Sequence, residues 1–170
     1  MKNKDLIFNF QIFSFIFASI LGTLFHFTYE WSNNNQFVGL FSAINESTWE
    51  HLKLVFFPML LTTIIGYFYI AKNTSNYLCA KTIGIITSML FTIIFFYTYS
   101  GILGTNIDFI NILTFFMAVI LGEYIAYRIM ISDFSCNPGI SVLILDILIF
   151  CFVFFSFYPP QIGLFIPPVK

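Results

Sequence analysis

The sequence predicts an all-α polytopic membrane protein: a bundle of five transmembrane helices with the N-terminus in the cytoplasm and the C-terminus outside. Three observations carry that reading. Apolar residues make up 59% of the 170-residue chain and charged residues only 9%, against about 25% charged in a soluble domain. Mean hydropathy is +0.90, and 25 Phe with 9 Tyr bring more apolar surface than a core of this size can hide from water. Five apolar runs, at 6–27, 51–71, 82–100, 109–131 and 140–157, approach the roughly 20 residues that a helix needs to cross a bilayer. A net charge of −1 leaves no basic footprint for nucleic acid, so the lipid bilayer is the partner the composition demands. The length suits a single transmembrane domain, 1–170.

The first run, 6–27, follows Lys2 and Lys4 in the manner of a signal peptide. It is too long for one and no small-x-small cleavage site follows, so it reads as a retained anchor. The loop 29–50 is polar and aromatic, and a loop of this length in a compact domain is a place where function concentrates. The second run, 51–71, contains Pro58, which frees the carbonyl of Leu54 and favours a kink. The third, 82–100, follows a loop carrying Lys72 and Lys81, and the fourth, 109–131, closes near Arg128. The fifth, 140–157, leads into a tail with two Pro-Pro pairs, expected to lie extended along the outer interface. Lys2, Lys4, Lys72, Lys81 and Arg128 alternate with Glu30, Glu46, Glu50 and Asp108, which sets the N-terminus inside by the positive-inside rule. There is no internal repeat of the kind that inverted-repeat transporters show. Cys79, Cys136 and Cys151 are scattered, with no CxxC, and read as packing residues.

Ionisable residues carry most of the information in so apolar a chain, because each is costly near lipid. They form two groups. In the outer one, His26 and Glu30 lie four apart, as do Glu46 and Glu50, and His51 follows. At that spacing they share helix faces. His26, Glu30 and His51 are candidate ligands for a divalent zinc, iron or manganese ion. Glu46 and Glu50 are the candidate catalytic carboxylates, one acting as base in hydrolysis. Plainer roles compete: Ser47-x-x-Glu50 is a capping box, and Tyr29, Trp31 and Trp49 suit an interfacial aromatic belt. A haem between His26 and His51 ranks below a bare ion, and Ser47 with His51 lacks the elbow motif of a hydrolase nucleophile.

The inner group is Glu123, Arg128 and Asp146. Glu123 and Asp146 fall at similar depth on consecutive helices, where two carboxyls would share a proton or pair with a cation. They define the competing reading of a small proton- or cation-coupled transporter. A non-enzymatic subunit, bound to partner membrane proteins or to further copies of itself, is a third.

Gly22-Thr-Leu-Phe-His26-Phe-Thr-Tyr-Glu30-Trp31, the stretch from Gly39 through Asn45-Glu-Ser-Thr-Trp-Glu-His51-Leu-Lys53, and Asn106-Ile-Asp108-Phe-Ile-Asn111 together resemble a family of small polytopic bacterial membrane proteins. That family is a domain of unknown function, found largely in anaerobic Gram-positive bacteria. The resemblance spans nearly the whole chain. It implies a multi-pass protein of the bacterial cytoplasmic membrane and no activity.

Overall fold

Helices in an apolar chain end where capping side chains and loop residues satisfy the free backbone groups. The computed structural model describes residues 3–168. It has five long helices: α1 (Lys4–Trp31), α2 (Thr48–Tyr69), α3 (Tyr77–Leu103), α4 (Asp108–Ile131) and α5 (Pro138–Phe157). All five are long and apolar enough to cross a membrane, and the described residues contain no strand. Asn3 caps α1 by accepting from the Leu6 amide, and Ser47 caps α2 by accepting from the Glu50 amide. Gly104 ends α3 at φ 70°, a left-handed conformation that a residue without Cβ adopts freely.

The helices outrun the apolar stretches that announce them. α1 continues through His26 and Glu30 to Trp31, and α3 begins at Tyr77, so Lys81 lies inside a span rather than in a loop. Small residues then set the packing. Gly84 and Gly122 bring α3 and α4 so close that a Cβ on either would lie 2.6 Å from the other's carbonyl oxygen. One turn on, Ser88 Oγ donates to the Ala118 carbonyl at 2.8 Å. The pattern is Gly84-x-x-x-Ser88 against Ala118-x-x-x-Gly122-x-x-x-Ala126, the small-residue spacing that lets membrane helices approach backbone to backbone. Gly22 of α1 makes the same kind of approach to the Leu54 carbonyl of α2, the group that Pro58 frees. The α2–α3 connection is tied down by Asn76, whose Nδ2 donates to the carbonyls of Ile129 at 2.8 Å and Phe134 at 3.0 Å at the end of α4. α5 packs chiefly on α3 and is the most peripheral span.

Three sequence expectations are corrected. Cys79 and Cys136 form a disulfide between α3 and the α4–α5 connection, leaving Cys151 free; scattered positions in the chain hid a pairing that the helix turn creates. Trp49 is no interfacial anchor: it is buried against Phe152, Phe155 and Phe165. The tail does not run straight along the interface, because a 3-10 turn at Gly163–Phe165 folds it back onto that tryptophan.

Adding one methyl group to Gly122 is therefore expected to cost about 1–3 kcal/mol through overpacking. Gly101, in the last turn of α3, has nothing within 4 Å of the place a Cβ would occupy, so Gly101→Ala should be neutral or stabilise by up to about 1 kcal/mol. Thermal unfolding of the two detergent-purified variants beside the wild type checks both.

Candidate functional site

The polar end of the bundle is built on a pinned loop. Lys53, one turn into α2, is fully buried and its Nζ lies 2.7 Å from Glu50 Oε2. The same ammonium donates to the Gly39 carbonyl at 2.8 Å, and Glu50 Oε2 accepts from the Ile44 amide at 3.1 Å. One buried ion pair thus ties the chain between α1 and α2 to the start of α2. Thr28 and Ser42 hydroxyls add a hydrogen bond of 2.5 Å from α1 to the same loop.

That loop delivers Glu46 between two histidines. Glu46 Oε2 lies 3.5 Å from His51 Nε2, and Glu46 Oε1 lies 3.9 Å from His26 Nε2. The imidazole centroids are 5.5 Å apart, and one donor atom from each of the three residues falls within 4.8 Å of the others. His51 Nδ1 sits 3.0 Å from the Ser47 carbonyl. A carbonyl oxygen only accepts, so this bond requires the proton on Nδ1 and turns the lone pair of a neutral ring outward at Nε2. A lone pair and a carboxylate then face each other, which is unfavourable unless a cation or a further proton stands between them. Both histidines are partly buried, whereas the Glu46 side chain is 65% exposed and has room to swing toward either ring.

A cavity of about 90 Å³ opens beside this cluster. Glu46 and His51 line one side, and Asn106, Asp108 and Asn111 line another. The Tyr99 hydroxyl, which donates to Asn111 Oδ1 and accepts from the Ile107 amide, fixes that second wall.

The structure thus unites His26, His51 and Glu46 and separates the other candidates. Glu30 is exposed at the end of α1, one turn beyond His26, and lies outside the three-residue cluster. Glu50 is buried, with Oε2 bound to Lys53 Nζ and the Ile44 amide, and lies outside the three-residue cluster. It completes only half of the capping box: Ser47 accepts from its amide, while the Ser47 amide itself donates to Asn45 Oδ1 at 2.8 Å.

The inner carboxyls do not meet. Glu123 is buried on α4 and both its oxygens bind Lys81 Nζ, at 2.7 and 2.6 Å. Gln11 of α1 donates to the Glu123 backbone carbonyl at 2.9 Å. Asp146 is exposed on α5, and Arg128 donates to the Tyr124 hydroxyl at 2.8 Å instead of neutralising either carboxyl. Sequence reasoning missed Lys81 as the partner because it was counted as a loop cation. Its position one turn from Gly84, with Glu123 beside Gly122, is the signal that could have found it, since Gly84 and Gly122 mark a close approach of α3 and α4.

A family model described as "Family of unknown function (DUF6512)" matches residues 2–170, so the chain belongs to that family. No curated protein and no solved structure matches it significantly.

Removing one partner of the inner pair leaves an unpaired charge in a dry site, which costs about 3–5 kcal/mol. Lys81→Met should show that loss in thermal unfolding, and Lys81→Met with Glu123→Leu should recover most of it.

Proposed function

We propose that this member of the family binds a divalent transition-metal ion at its polar end, through His26 Nε2, His51 Nε2 and the Glu46 carboxylate. The observation that carries the reading is the outward lone pair of His51, fixed by the Ser47 carbonyl and aimed at a carboxylate. Two imidazoles and one carboxylate form a donor set that zinc takes in catalytic sites, where a fourth position stays open. Iron and manganese accept the same donors. A backbone acceptor on the far nitrogen is the usual support for a metal-bound histidine. Zinc needs donors at about 2.0–2.2 Å, closer than the three now stand, and the exposed Glu46 side chain supplies the movement. The cavity is far too small for a macrocycle, which favours a bare ion over haem.

The cavity gives the open position a place for a small ligand, and this is the basis for a hydrolytic reading. When bound, such an ion acts as a Lewis acid toward an oxygen ligand. With Glu46 assigned as ligand and Glu50 bound to Lys53, Asp108 is the carboxylate on the cavity wall that can hold a proton.

Zinc at a hundredfold excess over its Kd should stabilise the wild type by about 2.7 kcal/mol, read as a rise in melting temperature. His26→Ala and His51→Ala should each abolish most of the shift, and Glu30→Gln should keep it. An equal shift in a protein lacking both histidines would overturn the assignment.

The reading includes the bacterial cytoplasmic membrane and an N-in, C-out topology. Lys4, Lys72 and Arg128 lie at one end of the bundle and Glu30, Glu46 and Asp108 at the other, which supports that orientation. It puts Cys79 and Cys136 at the cytoplasmic end, where thiols stay reduced. Cells denatured directly into N-ethylmaleimide, which also exposes the buried Cys79, should therefore show both thiols labelled, with the bridge of the structure closing only on later oxidation. A bridge already closed in trapped cells would reverse the topology.

A further inference from the structure

We propose that the outward face of α5 docks a transmembrane helix of a different protein, one that carries a lysine or arginine at mid-membrane depth opposite Asp146. α5 has the highest mean hydropathy of the five helices, 2.7, and the smallest buried share, 17%. Leu143, Ile147, Phe150 and Phe154 are all exposed along it, at the alternating spacing of four and three that forms a helix–helix seam. Asp146 flanks this seam, one turn from both Leu143 and Phe150, and is itself exposed.

Its depth is what makes the carboxyl informative. Asp146 lies about 12 Å from the Pro138 end of α5, counting eight residues at 1.5 Å. Long Lys and Arg side chains reach the interface from such depths, but the short Asp side chain does not. The chain shows elsewhere how it treats membrane charges: Lys81 with Glu123 and Lys53 with Glu50 are buried as pairs. Asp146 has no such partner among the described residues. An intramembrane carboxylate of this kind calls for an opposite charge from outside the chain.

Charge complementarity separates the possible occupants. A second copy offers no suitable cation among the described residues. Lys53 and Lys81 are buried and paired. Arg128 lies only about 4.5 Å from the end of α4, three residues at 1.5 Å, and is bonded to Tyr124. Lys4 and Lys72 lie at helix ends or in a connection. The basic group must come from a different chain, in a helix long enough to span.

The test uses the full-length protein in phosphatidylcholine vesicles, donor-labelled, with acceptor-labelled Leu-rich helices of about 20 residues. One helix carries a central Lys and the other does not. The Lys helix should associate about tenfold more tightly with the wild type than the all-apolar helix does. Asp146→Leu should erase that preference and Asp146→Glu should keep it, which guards against a fold defect in the first variant. Equal association of both helices with the wild type would overturn the proposal. So would energy transfer between two labelled copies of the wild type that vanishes in Asp146→Leu, because the face would then belong to a second copy.

Discussion

Hydrocarbon solvates neither charge nor an unpaired backbone group, and this protein is organised around that constraint. Among the described residues, the two fully buried lysines each sit against a buried glutamate, and each pair joins two separate pieces of backbone. Lys81 and Glu123 lie beside the Gly84–Gly122 contact that joins α3 to α4. Lys53 and Glu50 hold the α1–α2 loop on the first turns of α2. Pairing of this kind need not add net stability over an apolar isostere. Each pair does tie two particular segments together, α3 to α4 and the α1–α2 loop to α2.

The polar end follows from the second pair. With the loop pinned by Lys53, Glu46 is delivered to the gap between His26 on α1 and His51 on α2. The Pro58-freed carbonyl of Leu54 rests on Gly22, so the two histidine-bearing helices are already in backbone contact one to two turns below the site. The residues that hold the site rigid are thus separate from those that face its cavity. Lys53 and Glu50 tie the loop to α2, and the two imidazoles with the exposed Glu46 carboxylate form the cluster beside the cavity.

The five spans and the gathering of both histidines at one end of the bundle were legible in the sequence, because hydropathy and helical spacing are local properties. What escaped was tertiary pairing. Lys81 looked like a loop cation because hydropathy starts the third span at Thr82, whereas the helix begins at Tyr77. Glu30 and Glu50 lie four residues from His26 and Glu46, respectively, but Glu30 stays outside the three-residue cluster and Glu50 is paired with a buried lysine. The Cys79–Cys136 bridge spans 57 residues of chain, and no local pattern reports such a distance. Similar depth suggested that Asp146 would meet Glu123, whereas Asp146 is exposed on α5 and Glu123 is buried against Lys81.

Everything proposed for the polar end depends on what fills the space between His26, Glu46 and His51. X-ray absorption at the zinc edge of the zinc-loaded, detergent-purified protein reads that shell directly. Two imidazole nitrogens and low-Z oxygen donors are expected at about 2.0–2.2 Å, with the imidazole scattering lost when both histidines are replaced. A shell of oxygens alone, or one with sulfur at about 2.3 Å, would contradict the assignment.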